Sequence, residues 1–213
     1  MQLSSQSFAE GERIPGEFAF AIPDAANHVT LSQNRNPHLS WSDAPEATKS
    51  FALICRDPDA PSQGDDVNQE GRTVAADLSR VEFIHWVLID LPADLREIAA
   101  GAFSSTVSPR GKPGPNAALG ARQGVNDYTG WFDSDHDMRG DYYGYDGPCP
   151  PWNDARIHRY IFTLYALDVE SLSVRERLTA SAVRQAMRGH VLAEASLTGV
   201  YTLNPALTEG GKK

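Results

Sequence analysis

GPCPPWNDARIHRYIFTLYALD, residues 147–168, joins a proline-rich loop to an apolar run that opens with His-x-Tyr. Within Gly147–Pro151 three residues are proline, so only Gly147 and Cys149 keep a backbone N–H. Such a loop is stiff and forms a wall rather than a hydrogen-bonding cradle. Arg159–Leu167 is rich in strand formers. In an extended chain, side chains two apart point the same way, so His158 and Tyr160 emerge together beside that wall. A stiff rim next to two convergent polar groups predicts a small, pre-shaped pocket on a β scaffold.

Working outward, apolar runs of strand length recur at Glu17–Ile22, Ser50–Arg56 and Glu82–Leu91. Glu82–Leu91 is apolar on both faces: Phe83, Val87 and Ile89 on one, Ile84, Trp86 and Leu88 on the other. That pattern predicts an interior strand covered on both sides. Strands and helices do not alternate, which argues against a doubly wound fold. One helix is predicted over Ala180–Arg188, with Thr179 as N-cap and Gly189 as stop. Ser173 and Glu176 have capping-box spacing and predict a short turn before it. Val191–Leu203 reads as a crossing followed by a final strand. The chain from Gly101 to Pro151 is dense in Gly and Pro, and a second long loop runs from Pro61 to Arg80; long loops inside a domain are often functional. The expectation is one mainly β domain over residues 1–207, antiparallel, with a few peripheral helices, and a frayed tail over 208–213.

With 213 residues, 41% of them hydrophobic and 22% charged, the chain can bury a core without staples. A formal charge of −9 disfavours nucleic acid and anionic membrane surfaces as partners. Cys55 and Cys149 read as free thiols in a reducing compartment, with a bridge between them left open. The N-terminus lacks a basic start followed by an apolar run. No stretch reaches the roughly 18 apolar residues of a membrane span. A cytoplasmic protein without stable membrane insertion is expected.

Three segments carry polar groups at apolar strands, where burial demands partners. Asp57-Pro-Asp-Ala-Pro61 follows the run FALICR; if it stays extended, Asp57 and Asp59 face the same way. A rigid turn with solvated carboxylates is the plainer reading. His85 lies in FIHWVLIDL and His158-Arg-Tyr160 opens the last motif. Each histidine alone is more often a hydrogen-bonded core residue than a site residue.

Together, DPDAP, the strand bearing HW, the GPCPP loop and HRYIFTLYALD resemble the phosphatidylethanolamine-binding protein family, in its bacterial YbhB/YbcL, Raf kinase inhibitor-like branch. The resemblance runs from FAEGERIPGEF to GHVLAEASLTGVY. It implies an antiparallel β-sandwich and a small pocket for phosphate or a phosphorylated head group. The residues it implies there are Asp57, Asp59, Pro61, Phe83, His85, Gly147, Pro150, Pro151, His158 and Tyr160, and the backbone N–H of Cys149 in the same loop adds that residue to the expected ligand-binding set. It also implies a homodimer, a protein partner such as a kinase, and Ala60–Pro61 as a cis candidate. Two segments are longer than the family pattern, in loops 61–80 and 124–146, and both flank the expected mouth.

Two carboxylates beside an anion make sense if each accepts a ring N–H of a histidine and stabilises the imidazolium. His85 and His158 then offer their other N–H to a phosphoryl oxygen, joined by the Tyr160 hydroxyl and the N–H of Gly147 or Cys149. No cofactor is expected. The competing readings are a cysteine hydrolase on Cys149 and His158, or a metal enzyme on Asp57, Asp59, His85 and His158. Against the first, Pro150 lacks the N–H that the residue after a nucleophile usually gives an oxyanion. Against the second, no tight ligand motif is present. Asp133–Asp137 begins like a calcium loop, but Met138 and Gly144 stand where glycine and glutamate are required.

Overall fold

The computed structural model describes residues 1–208. The strands in chain order are β1 (Gln2–Ser4), β2 (Ala21–Asp24), β3 (His28–Leu31), β4 (Leu39–Ser42), β5 (Ser50–Pro61) and β6 (Arg80–Pro92). They continue with β7 (Glu97–Ile98), β8 (Arg122–Gln123), β9 (His158–Leu167) and β10 (Val191–Tyr201). Short helices α1 (Tyr128–Trp131), α2 (Ala180–Ala186) and α3 (Pro205–Thr208) lie between and after them. The larger sheet runs β10-β9-β5-β6-β8, a smaller one runs β1-β4-β7, and β2 and β3 form a hairpin. Every strand pair within these sheets is antiparallel.

Side chains of the two sheets meet in the main core. Leu39 and Trp41 of β4 and Ile98 of β7 share one buried cluster with Phe51 and Leu53 of β5, Trp86 of β6 and Phe162 of β9. The Trp41 and Phe51 rings cross edge-on at 5.4 Å. Along β9, His158, Tyr160, Phe162 and Leu164 are all buried, as a period of two requires for one inward face. The opposite face of the larger sheet is covered by α2, whose Ala180 and Val183 pack on Ile54, Val87 and Ile89. Thr179 caps α2 by accepting a hydrogen bond from Ala182 N, and Gly189 beyond it adopts φ +82°.

Two bulges in the β5–β6 ladder set up the site. Cys55 pairs with Trp86 and Arg56 with Ile84, leaving His85 as an extra residue on β6. His85 and Trp86 therefore both turn to the inner face, while Ile84 and Val87 lie on the other. The predicted alternation of Glu82–Leu91 thus holds from Trp86 to Ile89 and inverts before it. On β5, Asp57 pairs with Phe83 and Ala60 with Val81, so one residue more is spent on β5 than on β6. Asp57 and Asp59 do not face the same way as a consequence.

Four local expectations are corrected. Glu17–Ile22 is not a strand: Gly16–Phe18 form a 3-10 turn and β2 starts only at Ala21. Phe18 O accepts the Tyr145 hydroxyl and Phe20 N donates to Pro148 O, so loops, not a ladder, occupy this backbone. Ser173–Glu176 forms no helix. Val191–Tyr201 is strand from its start, with no crossing. The cis peptide among the described residues is Gly114–Pro115, not Ala60–Pro61. Thr208 ends α3, and the rest of the expected frayed tail lies outside the described residues. No helix among the described residues is long and apolar enough to cross a membrane.

Candidate functional site

A cavity of about 280 Å³ opens at the end of the inner face of the larger sheet. Strand β5 brings Asp57 and Pro61 to it, and β6 brings Phe83 and His85. The proline loop contributes Cys149, Pro150 and Pro151, and β9 contributes His158 and Tyr160. Two predicted residues stay out of it. Asp59 is turned away by the β5 bulge and is gripped by Arg159 through Nε (2.8 Å) and Nη2 (3.0 Å), and by Arg156 Nη1 at 3.2 Å. Burial pushes its carboxyl up, but the Arg159 guanidinium outweighs this and holds it below the usual range. Gly147 gives its N–H to Asn34 Oδ1 at 2.8 Å, so it has none to offer a ligand. A Cβ at Gly147 would sit 2.1 Å from Phe18 O, which is why glycine stands there.

His158 is fully buried and both its nitrogens are taken. Nδ1 lies 2.7 Å from Asp57 Oδ2, and Nε2 lies 3.0 Å from Asp154 Oδ2. Burial alone would lower its pKa, but the two carboxylates, Asp154 first, raise it to about 9. His158 is therefore an imidazolium clamped between two carboxylates. The expected pairing with Asp57 is present, but the second N–H goes to Asp154 and not to a ligand. Asp154 also accepts from the two terminal Arg80 nitrogens, Nη1 at 2.5 Å and Nη2 at 3.0 Å. Burial raises its pKa, and the bonds from His158 and Arg80 more than reverse that.

His85 is held differently. Its Nδ1 donates to the backbone carbonyl of Asp146 at 2.7 Å, and Asp146 N returns a bond to His85 O at 3.0 Å. A carbonyl can only accept, so Nδ1 carries the proton and Nε2 of the neutral ring keeps its lone pair. Burial lowers the pKa of His85, against the opposing pull of Asp57 and of Asp146. No carboxylate touches its ring, contrary to the expected arrangement. Its ring lies 5.0 Å from that of Tyr160 and 5.7 Å from that of Tyr128.

The long loops complete the walls. Val67 and Asn68 from loop 61–80 line the cavity. Asn153 Nδ2 pins that loop through Asp66 O (2.8 Å), Gln69 O (3.3 Å) and Arg72 O (3.2 Å). From loop 124–146 come Tyr128, Trp131 and Phe132, and Phe20 stacks on Tyr128 at 4.7 Å. Sequence reasoning missed Phe20, Tyr128, Asp146 and Asp154. For Asp154 a signal existed, since it stands four residues before His158 in NDARIH.

Cys149 is a protonated thiol, its pKa pushed up to about 12 by burial, and His158 has no nitrogen left to act as its base. Cys55 and Cys149 are both free. Among the described residues no group of three or more His, Cys, Asp or Glu side chains could hold a metal ion. The cysteine-hydrolase and metal-enzyme readings lose their chemistry on these two grounds.

A family model for phosphatidylethanolamine-binding protein matches residues 4–202. The chain belongs to the phosphatidylethanolamine-binding protein family. Relatives within this phosphatidylethanolamine-binding group include UPF0098 protein YbhB of Escherichia coli, 31% identical and covering 95% of this chain and 100% of its own. A UPF0098 protein of Aquifex aeolicus is 32% identical over 94% of this chain and 88% of its own. Among solved structures, a phosphatidylethanolamine-binding protein homologue from Chlamydia trachomatis superposes with a TM-score of 0.63 at 31% identity, covering 94% of this chain and 95% of that one. Escherichia coli YbcL gives a TM-score of 0.66 at 26% identity, covering 94% and 97%. None of these relatives bears an enzymatic name.

Proposed function

We propose that the cavity binds a small phosphorylated ligand, its phosphoryl group on the polar floor and its remainder against the aromatic wall. One observation carries this reading. Tyr160 lines that floor, and its hydroxyl is buried with no hydrogen-bond partner among the described residues. A buried unpaired hydroxyl costs roughly 1–3 kcal/mol, so a ligand oxygen that accepts from it is worth having. The family's name supplies the chemical class. Phe20, Phe83, Tyr128, Trp131 and Phe132 supply an apolar surface for the ligand's body.

The protein acts as a binder and not as a catalyst in this reading, since no nucleophile in the cavity is activated. Calorimetric titration with inorganic phosphate and with phosphoethanolamine, on the wild type and on Tyr160→Phe, tests it. Loss of a hydrogen bond to a charged group is expected to weaken binding by about tenfold to a hundredfold. Absence of binding by the wild type, or equal affinity in Tyr160→Phe, overturns the reading.

A further inference from the structure

The cavity floor holds more acceptors than donors. Asp57 contributes a carboxylate, and His85 contributes the Nε2 lone pair left by its bond to the Asp146 carbonyl. Several donors beside them are engaged elsewhere. Both His158 nitrogens bond carboxylates, Gly147 N–H bonds Asn34, and the Tyr128 hydroxyl donates to Gly147 O at 2.7 Å. Tyr160 is left as the strong side-chain donor on the floor.

The tautomer of His85 is built in, because Asp146 cannot turn. Its side chain is fully buried and receives Asn34 Nδ2 at 2.7 Å on Oδ1, then Asn126 Nδ2 at 2.7 Å and Lys112 Nζ at 2.9 Å on Oδ2. Three side chains from three separate segments thus fix the residue whose carbonyl fixes the imidazole. The ionisable groups facing His85 are Asp57 on β5, Asp127 and Tyr128 at α1, Asp146 on the following loop, and Tyr160 on β9. None of them supplies an N–H to the ring.

Resting on the phosphoryl reading above, we infer that the site takes its ligand as a singly protonated oxyanion, whose P–OH donates to His85 Nε2 while a P–O⁻ accepts from Tyr160. A dianion carries acceptors only and would set them against the His85 lone pair and the Asp57 carboxylate. A diester is a monoanion of similar shape but has no hydrogen to donate. The selected class is therefore a hydrogen phosphate monoester or hydrogen phosphonate, chosen by protonation state and not by charge alone. Burial keeps His85 neutral into mildly acidic solution, where such monoesters still carry that proton.

Calorimetry on the wild-type protein with monomethyl phosphate and dimethyl phosphate, from pH 5.5 to 8.5, tests this. Monomethyl phosphate is expected to bind at least tenfold tighter than dimethyl phosphate near pH 6. Its affinity is then expected to fall about tenfold per pH unit above its second pKa of about 6. Nitrogen-15 spectra of the free protein at neutral pH are expected to show His85 protonated at Nδ1 and bare at Nε2. Equal binding of the two esters, a pH-independent affinity, or a proton on Nε2 overturns the inference and leaves phosphoryl binding standing. Failure of both esters to bind at any pH overturns the phosphoryl reading itself, and this inference with it.

Discussion

The two histidines of the cavity are the same residue, equally buried, on strands separated by one, yet they are opposites. His158 sits between two carboxylates and is charged; His85 sits against a carbonyl and is neutral. Burial acts on both in the same direction, so the difference lies wholly in what each ring nitrogen meets. His158 is structural, with no free nitrogen, whereas His85 keeps one for a ligand. A pocket histidine therefore declares its role by its unused valence and not by its place in a motif.

The comparison breaks most readily at Asp154. Asp154→Ala strands His158 and Arg80, both buried, and is expected to cost about 3–5 kcal/mol in urea unfolding. A loss under 1 kcal/mol would mean that the clamp is not what charges His158. The next test is pH. His158 rises from 6.5 to about 9 on folding, so its contribution is complete below about 6.5 and is lost as pH climbs through 9. A shift of that size corresponds to about 3 kcal/mol as an order of magnitude. His85 has the opposite sign. Its lowered pKa gives stability present above 6.5 and lost as pH falls towards the folded value. Stability curves of wild type, His158→Gln and His85→Gln are expected to lose the alkaline and the acid slope respectively. Smallest is Trp131→Ala at the exposed rim, expected to change stability by about 0.5 kcal/mol or less. It should weaken phenyl phosphate a few-fold and leave inorganic phosphate unchanged, which separates the aromatic wall from the polar floor.

Much of this arrangement is legible in the chain. The period of two from His158 to Leu164 places His158 and Tyr160 together, and GPCPP forms the wall its prolines suggest. A mainly β, antiparallel domain follows from the recurring strand runs, and the sandwich from the family resemblance. What escapes is set by contacts across long separations or by single inserted residues. Asp59 leaves the cavity because the ladder slips between Asp57 and Ala60, which no local propensity announces. Asp146 matters through its carbonyl, an atom every residue possesses, aimed at a ring 61 residues away. Phe18–Phe20 read as strand but spend their backbone groups on Tyr145 and Pro148, more than 120 residues downstream.

The extra residue at His85 reverses the phase of β6 between its recognition end and the run from Trp86 to Ile89. Deleting His85 would restore regular alternation from Phe83 to Trp86, leave isoleucine on the outer face, and take the imidazole away from the ligand altogether, while the tryptophan half stayed as it is. No point substitution mends such a frameshift in space. The recognition end and the packing end of this strand can thus be exchanged between relatives only as pieces cut at that kink, and a chimaera joined one position off would fold around the wrong side chains.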